Sequence, residues 1–261
     1  MRLRPPSADS FSVAVALLVG AVGAILVPRL GVVPEEAGAV VVAALVTWVL
    51  LEQAPERVDR TVDARLYLPV GGGALLPVFG VVAGETLGYV VVPESLTVPS
   101  AGLALLGIVV VETGRSRRAR VRRARETVHL HLSLTESPRR LFVLSVASSL
   151  FGAGVVHLLA GERVGLPLLV GVVAGTVVGV TLVDTQEVDL YVVDRGLVVG
   201  PRRRLGASVV PWRRVRAVGV VDGALRIDRG LPWPTRYECD RSSVDDARDA
   251  VATLRSVRRR V

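Results

Sequence analysis

Apolar runs long enough, or nearly so, to cross a hydrocarbon layer recur six times in this chain, and arginines crowd some of the connections between them while avoiding the others. The runs are Phe11 to Val27, Ala37 to Leu51, Leu66 to Ala83, Ser95 to Val111, Leu141 to Ala160 and Val164 to Val183. Because a helix needs about 20 residues to cross a core of about 30 Å, each run is a candidate span. The second and fourth are the weakest. Glu35 and Glu36 flank one, and the other holds Pro99 and is strictly apolar only from Ala101 to Val111. Pro69, Gly71, Gly72, Gly73 and Pro77 predict a kink or local unwinding in the third. With 51% hydrophobic residues, 4% aromatic residues and a mean hydropathy of +0.50, the chain matches a polytopic membrane protein better than an ordinary soluble domain.

The arginines supply a topology. No lysine is present, so all 32 basic residues are arginine. With the N-terminus inside, the inner segments hold 2, 3, 9 and 16 arginines and the outer loops 1, 0 and 1, a division of 30 to 2. Positive residues accumulate in cytoplasmic segments, so this predicts a cell-membrane protein with both termini cytoplasmic. Arg2 and Arg4 ahead of the first apolar run resemble a signal peptide's start. The run has the length of a span, however, and no small-residue cleavage site clearly follows it.

Seven arginines, Arg115, Arg117, Arg118, Arg120, Arg122, Arg123 and Arg125, stand between the fourth and fifth runs. If helical, the segment spreads charge around every side and is expected to bury no face. It is read as a solvated, topology-setting loop or as a surface lying against anionic headgroups, where each arginine contributes on the order of 1 kcal/mol. Nucleic acid is disfavoured, because no aromatic platform is interleaved.

From Gln186 the long apolar runs give way to short alternating stretches. "EVDLYVVDRGLVVG" predicts two strands around Asp194-Arg195-Gly196, "AVGVVDGALRID" a hairpin closed by Asp222-Gly223, and "TRYECD" one more strand. "SSVDDARDAVATLRSVRRR" predicts a helix with Ser243 and Asp246 at its start and Ala247, Ala250, Val251 and Leu254 along one apolar stripe. The domains expected are therefore a four-span region over 1–114, an Arg-rich cytoplasmic linker over 115–140, a two-helix membrane hairpin over 141–184 and a small cytoplasmic domain over 185–261.

This order of parts, a membrane hairpin running into "VDLYVVDRGLVV", then "VPWRRVRAV", a hairpin and one amphipathic helix, resembles the pleckstrin-homology-like (PH-like) domains of prokaryotic membrane proteins. "VDGALRIDRGLPWPTRYECD" is reminiscent of archaeal members, and the resemblance covers Arg139 to Arg258. It implies a small strand barrel capped by its helix, used for binding or assembly. Arg202, Arg203, Arg204, Trp212, Arg213 and Arg214 form the candidate surface of that domain, although scattered charge and a core or rim tryptophan are the plainer readings.

Other features carry less. The single cysteine, Cys239, excludes an internal disulfide and suits a small buried strand residue. "VHLHLSL" places His129 and His131 on one face if extended, but two imidazoles without a third ligand do not make a metal site. Gly171, Gly175 and Gly179 form a small-residue ladder for helix packing, and Gly80 with Gly84 repeats the spacing. No phosphate-cradling glycine loop with lysine, no HExxH and no GxSxG occurs. A non-enzymatic membrane protein displaying an interaction domain is therefore expected, without cofactor or metal, its partners being membrane lipids and a protein or second copy rather than nucleic acid. The alternative is a channel or transporter through the broken third span, with a polar cavity lined by Tyr67, Glu85, Tyr89 or Glu94.

Overall fold

Proline and glycine cut the N-terminal apolar runs into pieces in the computed structural model. The structure describes residues 9–26, 37–86, 94–136, 187–201, 206–221, 224–230, 235–239 and 247–260. By internal contacts the chain divides into two compact units, Met1–Arg118 and Ala119–Val261.

In the helical unit, α1 (Ser10–Leu26) and α2 (Ala37–Gln53) are each 17 residues long and apolar. Pro55 begins α3 (Pro55–Asp63), which leaves α2 at a bend of 89° because proline lacks the N–H that would continue the ladder and clashes with the preceding turn. Glycines and Pro77 divide the third apolar run into α4 (Tyr67–Gly73) and α5 (Leu76–Thr86). α6 (Glu94–Arg125) carries the fourth run and the arginines in one 32-residue helix, and the division between the two units falls within it. Phe11, Leu18, Val58, Val62, Tyr67, Leu103 and Val110 form this unit's buried cluster. Gly71 and Gly107 let α4 and α6 approach backbone to backbone, and Gly114 lies against the Tyr67 ring.

The second unit is built on a seven-stranded antiparallel sheet of order β4-β3-β2-β1-β7-β6-β5. Its strands are β1 (Val128–Glu136), β2 (Glu187–Val193), β3 (Gly196–Pro201), β4 (Ser208–Pro211), β5 (Val215–Val221), β6 (Ala224–Arg229) and β7 (Thr235–Glu238). Among the described residues, the halves β1–β4 and β5–β7 pair through Thr135↔Glu238 and Glu136↔Tyr237. Period-two alternation gives the sheet one apolar face. Leu132, Leu134, Leu190, Val192, Leu197, Val199, Leu225, Ile227 and Tyr237 line it, and Ala250, Val251, Leu254 and Val257 of α7 (Ala247–Arg259) cover it. Full burial of each larger side chain is worth about 1.5–3 kcal/mol, so this face and helix form the core of the unit.

The tight connections fall where turn residues stand. Val193 pairs with Gly196 across Asp194-Arg195, and Val221 pairs with Ala224 across 222–223. At Gly196 (φ 156°) a β-carbon would run into the Val210 carbonyl oxygen.

The expected six-span bundle with a closed, barrel-like domain is not what the structure holds. Among the described residues no single helix is long and apolar enough to cross a membrane; only the bent pair Gly38–Gln53 with Pro55–Asp63 meets the length and composition together. The described helices of the first and second runs are 17 residues long each, the third run is divided, and the fourth contributes about one apolar half to a helix that ends in arginines. The fifth and sixth runs lie outside the described residues, as does Ser243 with Asp246. The sheet is open as well: β4 and β5 are its two edges and do not pair with each other. A single 3-10 turn, Trp212–Arg214, separates them. Of the 115–140 stretch, expected as a linker, the described part to Glu136 is the end of α6 followed by β1, which is paired on both sides within the sheet, and 137–140 lie outside the described residues.

Candidate functional site

The arginine segment does bury a face. Ser116 and Ala119 are buried within it, and its guanidinium groups go to separate partners rather than to one exposed patch. Arg117 is the most engaged. It donates to Asp9 at 2.8 Å and to Asp59 at 2.9 Å, its side chain only 11% exposed, with the Phe11 ring 6.0 Å away. Arg118 faces Asp63 at 3.6 Å. Asp59 and Asp63 stand four apart on α3, which places both carboxylates on one side of that helix.

Arg115 pairs with Glu112 at 2.6 Å in an exposed contact, and Arg122 pairs with Glu126 at 2.6 Å. Arg123 lies over the Tyr191 ring, 4.4 Å from its centre. Arg120 and Arg125 also have partners. Exposed ion pairs contribute about 0.2–1 kcal/mol, whereas leaving a buried charge without its partner costs several times that. Arg117 is thus a structural tie of the helical unit, not a headgroup contact. The spacing "PERVDRTVD" held the signal for it, two acids at i and i+4 on an otherwise amphipathic turn of helix. Nothing in the sequence marked Asp9.

The outer face of β1–β4, opposite α7, holds a second cluster. Ala119 packs there with Val193 and Val198. His131 stacks on Tyr191 with ring centres 4.4 Å apart and approaches Asp189 at 3.2 Å, and His129 meets Asp194 at 2.7 Å. The hydrogen bond with His129, helped by the Thr127 backbone, holds the Asp194 carboxyl below its usual range. The turn carrying Asp194 is further tied down: its carbonyl accepts from Trp212 Nε1 at 2.9 Å, and the Arg195 N–H donates to Glu126 at 3.0 Å.

Both histidines therefore have carboxylate partners on neighbouring strands, and the cluster braces a hairpin. Among the described residues no three His, Cys, Asp or Glu side chains are grouped to hold a metal ion. The Cys239 thiol is buried and donates to the Ser133 carbonyl.

Of the candidate domain surface, Trp212 is buried in the core, Arg213 is exposed and Arg214 half-buried. Arg202, Arg203 and Arg204 lie outside the described residues, as do Gly171, Gly175, Gly179 and His157. A β-carbon at Gly80 would meet nothing within 4 Å; the close helix approach is instead at Gly71 and Gly107. Tyr67 is packed in the apolar cluster rather than facing a polar cavity, and the side chains of Glu85, Tyr89 and Glu94 lie outside the description. Comparison with protein families, curated proteins and solved structures finds no match to this chain.

Proposed function

We propose that this chain is a membrane-associated protein without a catalytic role, whose helical unit meets lipid and whose sheet unit is a PH-like interaction domain on the cytoplasmic side, for protein contact, self-assembly or an anionic lipid surface. The observation that carries the proposal is an imbalance of exposed apolar surface. Among the described residues 21 large hydrophobic side chains are exposed, and 18 of them belong to the helical unit, including Leu17, Leu26, Val41, Leu45, Leu50, Leu76 and Phe79. Water-soluble domains rarely leave contiguous apolar surface on this scale, and a helix apolar on all sides belongs in a protein core or in lipid.

The seven antiparallel strands with one C-terminal helix on their apolar face support the PH-like reading of the second unit. Its charge supports the cytoplasmic side: 23 arginines against 14 carboxylates, net +9, where the helical unit has 9 against 10, net −1. The test is alkaline carbonate extraction of membranes from cells expressing the full chain. The protein is expected to stay in the membrane pellet; recovery in the wash as a detergent-free, monodisperse species contradicts the proposal.

A further inference from the structure

The ionic contacts that tie the helical unit together gather at one end of it. Arg117 reaches Asp9, just ahead of α1, and Asp59 on α3; the Asp9 N–H donates to Glu52 Oε1, near the end of α2, at 3.3 Å; and Arg118 faces Asp63. The start of α1, the end of α2, α3 and the 117–118 turn of α6 are thereby held together. The exposed large hydrophobics begin only some way along each helix from this network. Those nearest to it in the chain are Leu17 on α1, Leu50 on α2, Leu66 after α3 and Val109 on α6, and among the described residues none stands on α3 or between Val110 and Arg118. The helices thus run from a shared charged end into apolar lengths.

α3 is set across that end. It leaves α2 at 89°, so with α2 along the normal of an apolar layer, α3 lies parallel to the layer's surface. Val58 and Val62 are buried in the unit's apolar cluster, while Glu56, Arg57 and Arg60 are exposed on the outer side of the helix. Neither Arg57 nor Arg60 makes an ion pair among the described residues. The other two acids of α3, Asp59 and Asp63, are taken by Arg117 and Arg118, so on this helix only Glu56 opposes the outward positive charge.

We propose that α3 is an interfacial helix, lying in the headgroup layer where the helical unit enters a lipid bilayer, with Arg57 and Arg60 in contact with the headgroups of anionic lipids. The proposal rests on the reading of this unit as lipid-facing, and names the surface and the residues at which it meets the polar layer. A bilayer sets a hydrocarbon core beside a polar headgroup region, which matches an apolar length bounded by a charged end. Helices lying in the interface plane carry their cationic residues on the polar face, and arginines near an anionic surface are drawn to it. α3 differs from a self-sufficient anchor in burying its apolar face in the unit's own cluster, so the helices behind it fix its depth. The arginine run of α6 is the poorer contact, because Arg115, Arg117, Arg118 and Arg122 already face carboxylates of the chain.

The test measures spin-label depth in the full chain, reconstituted in bilayers of equimolar phosphatidylcholine and phosphatidylglycerol, from collisions with oxygen, which concentrates in hydrocarbon, and with a water-soluble nickel chelate. Labels are placed at Glu56→Cys, beside the two arginines, at Leu50→Cys and Leu68→Cys on the apolar lengths, and at Arg195→Cys in the exposed turn of the sheet unit as the reference in water; Cys239 is buried and does not compete for label. The Glu56 label should fall between the Arg195 label and the oxygen-rich Leu50 and Leu68 labels. A Glu56 label as open to nickel as Arg195, or as rich in oxygen as Leu50, overturns the interfacial placement while leaving the unit in lipid. Leu50 and Leu68 labels that match Arg195 as well would overturn the lipid-facing reading with it. The two residues are tested by Arg57→Gln with Arg60→Gln, which should weaken the preference for spin-labelled phosphatidylglycerol over phosphatidylcholine by about fivefold per arginine. Arg115→Gln, which removes a guanidinium paired with Glu112, should change that preference little. An unchanged preference in the double variant overturns Arg57 and Arg60 as the headgroup contacts.

Discussion

The two units cover their apolar side chains in opposite ways. In the sheet unit, alternation along each strand gathers the apolar residues on one face, and a single amphipathic helix covers that face, leaving Val128, Val220 and Val221 as its exposed large hydrophobics among the described residues. In the helical unit, α1 and α2 are apolar on every side, so no one neighbour covers them, and Leu17, Val19, Val22 and Leu26 on α1 and Val41, Val42, Leu45, Val46, Val49 and Leu50 on α2 remain exposed. The polar contacts differ in kind as well. The helical unit sequesters its pairs, Arg117 between Asp9 and Asp59 and Arg118 beside Asp63, whereas the sheet unit distributes its pairs over both halves of an exposed face. Among the described residues, one region thus completes its own core and the other leaves much of its apolar surface exposed.

The sharpest way to break this contrast is at Arg117. Arg117→Met leaves two largely sequestered carboxylates facing an apolar side chain and should destabilise the helical unit by about 3–5 kcal/mol, against under about 1 kcal/mol for Arg115→Ala. Thermal or denaturant unfolding of the full chain in detergent checks the ratio, and equal effects would return the segment to a solvated loop. Close helix packing gives the next largest effect. Gly107→Ala drives a methyl group into the Gly71 backbone and the Ala74 side chain and should cost about 1–3 kcal/mol. Gly80→Ala, facing open space, should instead gain up to about 1 kcal/mol from helix propensity.

The smallest effect belongs to the hairpin brace. Because His129 lowers the Asp194 pKa in the folded state, the pair stabilises the fold above the ordinary aspartate pKa of about 3.9. That contribution is lost as pH falls through the lower folded value. In His129→Ala the Asp194 carboxyl, followed by NMR titration, should return toward the ordinary value, and an unchanged titration would remove His129 as the cause.

Much of the sheet unit was legible because its signals are local. Asp194-Arg195-Gly196 and Asp222-Gly223 mark hairpins wherever alternating strands flank them, and the stripe of Ala250, Val251 and Leu254 marks a helix face. β1 was harder to place, because "VHLHLSL" pairs with β2 and β7, which lie 50 and more residues further along the chain. The six-span expectation failed because apolar length was counted through the stretch from Gly71 to Pro77, where the third run divides into α4 and α5, and because no single described helix is long and apolar enough to span. Within the arginine run, identity showed the charge but not its partners. Only the i, i+4 spacing of Asp59 and Asp63 hinted that two of the seven were spoken for.

The central claim, that the helical unit contacts lipid while the sheet unit completes its own core, is tested most directly by labelling the full chain, reconstituted in bilayers, with a photoactivatable carbene reagent that partitions into hydrocarbon. The account predicts label in α1, α2 and α5, at residues such as Leu17, Leu45, Leu50 and Phe79, and little in β2 to β7. Label spread evenly over both units, or absent from α1 and α2, would contradict it.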